Sequence, residues 1–412
     1  MCAMRVAFGI LCGIALTSCA QGMNPSPLPA PLGTDSLTSP ASVYGLLYSF
    51  NGYPSGSAPT GLAALHGMLY GTTSGGGAKT FGTVFVRSSS GRVRILHDFR
   101  GGADGAEPLG GLVALRGALY GTTEFGGKDG DGTVFSISPS GTERVVYSFK
   151  GGSDGATPVL AGMVAVNGAL YGTTNAGGDP SCHVAYSVGC GTVFEIGSTG
   201  KERVLYRFKG KRDGAAPSGA LIAIGDTLFG TTNFGGVANN GTVFKIGTSG
   251  TESVIYAFKG YPDGAVPYAG VTALHGDLYG TTAFGGAFSY SGTVFRVSVS
   301  GTERVLHSFR GIPDGAVPYG SFIVVSGQLY GTTQYGGAAT RVCGSAGFTG
   351  CGTVFAFGTS GRERVLYRFK GAPDGANPWS GLVSSGGAFF GTTVAGGASN
   401  QGSVFRISAP ER

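Results

Sequence analysis

Leu112-Val-Ala-Leu115, Ala118-Leu-Tyr-Gly-Thr-Thr123, Thr133-Val-Phe-Ser-Ile-Ser138 and Glu143-Arg-Val-Val-Tyr-Ser-Phe149 are four short runs rich in Val, Ile, Thr, Tyr and Phe. Glycine punctuates the gaps between them: Arg116-Gly117, a glycine-rich loop over 124–132, and Ser140-Gly141. Such runs read as four β-strands joined turn by turn. No segment keeps a helical period.

This unit recurs seven times. Tyr120-Gly-Thr-Thr has counterparts at Tyr70, Tyr171, Phe229, Tyr279, Tyr330 and Phe390. Gly132-Thr-Val-Phe returns at Gly82, Gly191, Gly241, Gly292, Gly352 and, as Gly-Ser-Val-Phe, at Gly402. A strand ending in phenylalanine closes each unit at Phe50, Phe99, Phe149, Phe208, Phe258, Phe309 and Phe369, spaced by 49, 50, 59, 50, 51 and 60 residues. Four strands in about 50 residues, repeated seven times, predict an all-β fold, a seven-bladed β-propeller of four-stranded blades. The repeat opens with a lone fourth strand, Val43–Phe50, and closes with Leu382–Ser384, Ala388–Thr393 and Ser403–Ser408, which have no fourth. The N-terminal strand 43–50 is therefore expected to join the last blade, which removes two exposed edges.

Composition agrees. Of 412 residues 80 are glycine, 42% are apolar and only 12% are charged. The absence of a triplet period excludes collagen, and the apolar content excludes a disordered chain. The net charge of +6 does not point to nucleic acid. Its basic surplus comes largely from one position copied round the ring, and there is no Lys/Arg run.

The Leu-Tyr-Gly-Thr-Thr, Gly-Gly, Gly-Thr-Val-Phe and Tyr-x-Phe-Lys-Gly segments resemble the GloVer (Gloeobacter–Verrucomicrobia) tandem repeat of exported bacterial proteins. The resemblance covers 43–408. It implies export and a repeat fold, and it transfers no catalytic residue.

Residues 1–18 read as a signal peptide, with Arg5 followed by an apolar stretch from Val6 to Leu16. Leu16-Thr-Ser-Cys19 resembles a bacterial lipoprotein processing site, so Cys19 is the expected lipidation point, with two or more acyl chains giving stable anchoring. Residues 19–42, with Pro25, Pro27, Pro29, Pro31 and Pro40, form a semi-extended tether. Ala20 after the cysteine favours, by analogy, the outer membrane or cell surface. The expectation is a monomer that meets the membrane only through its lipid. Cys182, Cys190, Cys343 and Cys351 form two pairs of equal spacing, each second cysteine preceding a Gly-Thr-Val-Phe. In an oxidising compartment they read as local disulfides, each contributing about 2–3 kcal/mol at most. A zinc site would need further ligands, and only His183 lies near.

In an up-and-down blade, alternate connections fall on one side. The strand two-to-three loops, the inter-blade loops and both cysteine inserts thus share a face, and long loops on a rigid scaffold are where binding sits. Each inter-blade loop carries an aspartate (Asp104, Asp154, Asp213, Asp263, Asp314 and Asp374, with Ser55 in the first copy) behind Arg100, Lys150, Lys209, Lys259, Arg310 and Lys370. Such a repeated aspartate is expected to cap backbone N–H groups or to pair with the base. Calcium is an alternative that Asp129-Gly-Asp131 echoes only weakly.

The departures from the repeat mark the ligand site. After the loop proline stand Thr60, Leu109, Val159, Ser218, Tyr268, Tyr319 and Trp379. The last three are aromatic and fall on consecutive blades near the channel mouth, with Phe284 and Tyr335 on the same arc. Rings so arranged suit a sugar face or a peptide, or else pack the loops together. No phosphate loop, metalloprotease or Cys-x-x-Cys motif is present, so no cofactor, metal or catalytic residue is assigned. Gly151-Gly-Ser153-Asp-Gly155 matches a serine-hydrolase pattern but lacks its helix. His66 and His275 share a turn position, and His97 and His307 replace the strand-four tyrosine. The first expectation is a non-catalytic binding or adhesion module for a glycan or protein. The alternative is a polysaccharide lyase or hydrolase using some of Glu124, Asp129, Asp131, Asp179, His183, Tyr186 and Arg341. A structural envelope component is the third.

Overall fold

The computed structural model describes residues 43–408 except 159–161, 185–186, 289, 340–342 and 344–347. The signal, Cys19 and the tether lie outside these residues, as do Tyr186, Arg341 and Val159. Among the described residues there is no α-helix, only two single 3-10 turns, Gly102–Asp104 and Gly152–Asp154.

Seven antiparallel meanders form, one per repeat. In blade 2 the strands are Val113–Leu115, Ala118–Thr123, Thr133–Ile137 and Glu143–Ser148, within a residue of the sequence reading. The last blade holds Val383–Ser385, Ala388–Thr393 and Ser403–Ser408, and its fourth strand is Tyr44–Ser49. These two end strands pair antiparallel, Tyr44 opposite Ile407 and Ser49 opposite Ser403, so the ring closes as expected.

The three landmarks of the repeat meet at one place. The phenylalanine that ends a fourth strand packs edge-on against the Gly-Thr-Val-Phe phenylalanine of the next blade. The pairs are Phe99–Phe135, Phe149–Phe194, Phe208–Phe244, Phe258–Phe295, Phe309–Phe355 and Phe369–Phe405, with ring centroids 5.0–5.3 Å apart. The seventh pair, Phe50–Phe85 at 5.1 Å, joins the last blade to the first. All of these rings are fully buried. T-shaped pairs contribute about 0.5–1.5 kcal/mol each beyond area burial.

Each second ring also lies over the glycine of the Tyr-Gly-Thr-Thr strand. A Cβ on Gly280 would stand 2.5 Å from the Phe295 ring, so no side chain fits there. The second threonine of the motif clasps its partner strand: Thr123 Oγ1 lies 2.8 Å from Thr133 Oγ1, and the bond recurs in all seven blades, to Ser403 in the last, at 2.7–2.9 Å. Gly132 has φ +98, and a Cβ there would meet the Thr123 carbonyl at 2.5 Å and the Pro158 ring of the next blade loop at 2.6 Å. The motifs are thus the hardware of strand pairing and of blade-to-blade packing.

Both disulfides form, Cys182–Cys190 with Cα atoms 5.6 Å apart and Cys343–Cys351 at 4.9 Å. The first closes an insert whose short strands His183–Val184 and Ser187–Val188 pair as a hairpin.

Candidate functional site

Meander topology puts the long loops on one face. Each inter-blade aspartate there has a defined architectural task. Its carboxylate accepts the backbone N–H of the basic residue four positions earlier, from Arg100 at 2.7 Å, Lys150 at 2.9 Å, Lys209 at 2.9 Å, Lys259 at 2.8 Å, Arg310 at 3.0 Å and Lys370 at 3.0 Å. The same carboxylates take a second bond from the fourth strand. Tyr147, Tyr206, Tyr256 and Tyr367 donate their hydroxyls at 2.8–3.0 Å, and the imidazole Nε2 of His97 and His307 lies at 3.2 and 3.0 Å. In the first copy, Ser55 Oγ accepts the Asn51 N–H at 3.1 Å instead. The loops are therefore capped through backbone N–H groups.

A glutamate from the fourth strand of the following blade faces this pair. Burial, and then repulsion from Asp154, Asp213 and Asp263 respectively, pushes Glu202, Glu252 and Glu303 from the ordinary 4.5 up to about 7. A carboxyl raised on folding favours the folded state when protonated. Its stabilisation is complete below about 4.5 and is lost as pH rises through about 7. One pKa unit corresponds to about 1.4 kcal/mol, cut down here because the groups are only half-buried. Thermal melts should therefore show a midpoint about 2–5 °C higher at pH 5 than at pH 8. A midpoint that is flat or falls toward pH 5 would contradict this account.

The aromatic arc is assembled on the same face. Tyr268 and Tyr319 stack with centroids 4.5 Å apart and planes within 9°, and Tyr319 stacks on Trp379 at 5.8 Å and 16°. Three consecutive blades thus contribute one continuous row of rings, all half-buried. Phe284 and Tyr335 pack beside the row on Ala283, Ala316 and Val317. Tyr335 in turn stacks on Phe348 of the second cysteine insert at 5.2 Å. The rings of the row thus pack the three loops together, the alternative given above beside ligand contact. Trp379 ends the row, and its indole N–H is buried without a hydrogen-bond partner among the described residues. An unpaired buried donor costs about 1–3 kcal/mol, which an incoming acceptor would return.

The acidic candidates do not gather. Glu124 lies in blade 2, and burial together with its neighbour Glu107 raises its carboxyl to about 7. Glu107 was not singled out in the sequence. It sits at φ 57 just before the loop proline, and its carbonyl accepts the Glu124 N–H at 3.0 Å. Asp131 is raised by burial and by Asp129 and Asp154. It lines a cleft of about 370 Å³ with Lys150, Pro180 and Val188. Asp179 is held low by its bonds from Ser181. His183 is exposed on the insert hairpin. A larger cleft of about 530 Å³, lined by Arg116, Glu195 and Arg203, lies on the tight-turn face.

Comparison with known proteins adds the family. No curated protein sequence matches the chain. Among solved structures, the computationally designed Ika8 protein is 13% identical with a TM-score of 0.47, over 87% of this chain and 98% of that one. A gluconolactonase from Xanthomonas campestris is 13% identical with a TM-score of 0.44, over 90% of each chain. A putative 6-phosphogluconolactonase from Bacteroides uniformis is 15% identical with a TM-score of 0.46, over 74% of this chain and 83% of that one. The Gloeobacter/Verrucomicrobia repeat matches in two tandem stretches, residues 36–186 and 183–343. With more than half its length matched by that repeat, and the repeat's motifs forming every blade junction, the chain belongs to the Gloeobacter/Verrucomicrobia repeat family.

Proposed function

We propose that the protein is a non-catalytic binding propeller of the cell envelope, exported and held by lipid on Cys19, which takes a glycan or protein ligand on its long-loop face at blades 5 to 7. The observation that carries this reading is the stacked row Tyr268, Tyr319 and Trp379, ending in a buried indole N–H with no hydrogen-bond partner among the described residues. Such a row is rigid and amphipathic, so a ligand meets it at little ordering cost. Because the rings spend faces on one another, a sugar or peptide would meet ring edges, with the indole as donor. Two disulfides on this face fit an oxidising compartment.

Trp379 is the sole tryptophan, so its emission reports on this spot alone. Titration with peptidoglycan fragments, polysaccharides and envelope peptides should change that emission for a bound class. Tyr319→Ala and Trp379→Ala should each weaken binding, measured calorimetrically, about tenfold or more, a loss of about 1.4 kcal/mol. Unchanged affinity in both variants would remove the site.

One observation favours a polysaccharide hydrolase or lyase as the second reading. Glu124 and Glu107 are neighbouring carboxyl groups, with Glu124 raised to the range of a general acid. Turnover of a bound polymer that Glu124→Gln abolishes would promote it over simple binding.

A further inference from the structure

Two of the blade junctions differ from the others in one side chain. Where Tyr147, Tyr206, Tyr256 and Tyr367 hydrogen-bond the loop aspartate, His97 and His307 stand in blades 1 and 5. At both, the next blade supplies a glutamate. His97, Asp104 and Glu143 bring one ligand atom each within 4.8 Å of one another, and so do His307, Asp314 and Glu363. We propose that these two triads are transition-metal sites, of the type that takes Zn²⁺, which staple blade 1 to blade 2 and blade 5 to blade 6.

The donor set decides the class of ion. A phenol stays protonated at neutral pH and is a poor ligand, so the junctions of Tyr147, Tyr206 and Tyr256 offer two carboxylates only, and that of Tyr367, where Tyr44 stands in place of the glutamate, offers one. Histidine adds a neutral nitrogen, and one nitrogen with two carboxylate oxygens is a recognised zinc set that imidazole disfavours for calcium or magnesium. Ligand atoms about 2.1 Å from a tetrahedral ion stand about 3.4 Å apart, so the widest pair in each triad closes by at most about 1.4 Å. The glutamate has an oxygen to offer, because Glu143 Oε1 and Glu363 Oε1 are buried with no hydrogen-bond partner among the described residues. The other two ligands are already held. The imidazoles pack edge-on against Phe99 and Phe309 at 4.8 and 4.9 Å, and the aspartates accept the Arg100 and Arg310 N–H groups. The histidine and aspartate side chains are 12–21% exposed, which leaves an entry path and a place for water as fourth ligand.

The repeat itself provides the control. His97→Tyr and His307→Tyr install the residue that the other junctions use, so they keep the architectural bond to aspartate while removing the metal donor. Full-length chain stripped with a chelator is loaded with Zn²⁺, passed over a desalting column and assayed for metal. Each single variant should retain one zinc per chain fewer than the parent, and the double variant two fewer. Cysteines at 2, 12 and 19 are common to all four proteins and cancel in the difference. Zinc should raise the thermal midpoint of the parent by several degrees more than that of the double variant. Glu143→Gln with Glu363→Gln, which leaves both histidines in place, should reproduce the loss if a tyrosine variant folds poorly. Equal zinc content in the parent and the double variant, or calcium giving the same midpoint rise as zinc in the parent, would overturn the proposal.

Discussion

Deletion of residues 43–50 is expected to abolish a cooperative, soluble fold. The lost strand leaves Ser403–Ser408 as an open edge, with its N–H and C=O groups unpaired. Phe85 loses the ring of Phe50, and Tyr367 loses its stacking partner Tyr44 at 4.0 Å. One whole junction disappears, and its worth is comparable with the total stability of about 5–15 kcal/mol for a domain. Urea unfolding followed by circular dichroism, with light scattering for aggregation, reads this out. A peptide of residues 43–50 supplied in excess should restore part of the transition by strand addition. A truncated chain that stays soluble and melts with unchanged cooperativity would show that the ring is not sealed by this strand.

The second large effect lies inside one junction. Phe295→Ala should destabilise by about 3–5 kcal/mol, the range for removing a fully buried ring. Gly280→Ala should cost about 1–3 kcal/mol, because the new methyl enters the place of that ring. The two costs should not add. In the double variant the methyl occupies space the ring has left, so the pair should be more stable than the sum of the single changes by about 1 kcal/mol or more. A double-mutant cycle in urea measures this. Strict additivity would separate the conserved spacing of the two motifs from the packing ascribed to it.

Landmark spacing made the strands, the closure and the disulfides legible, because each depends on contacts within one repeat or on the unmatched strands at the two ends. What eluded the sequence lies between repeats. Asp104 is seven residues from His97, but Glu143 joins them only because blade 2 leans on blade 1, and nothing in a linear pattern reports that lean. Of the readings open for the loop aspartates, the structure shows the bond to the backbone N–H of the basic residue rather than to its charged end. Tyr268, Tyr319 and Trp379 were placed on the right arc. Their stacking on one another depends on side-chain directions, which repeat alignment does not carry.

The junction at Phe50 and Phe85 matches the other six in ring separation and tilt. A circle built from interchangeable joints has no privileged origin. At the ring pairs heat or denaturant therefore finds no weaker joint, although the rim differs at the Phe50–Phe85 junction, with Ser55 in place of the loop aspartate. Substitutions in the loops of one sector leave the ring pairs of the other sectors in place, so the rim of blades 5 to 7 can vary in sequence while the wheel itself stays as it was.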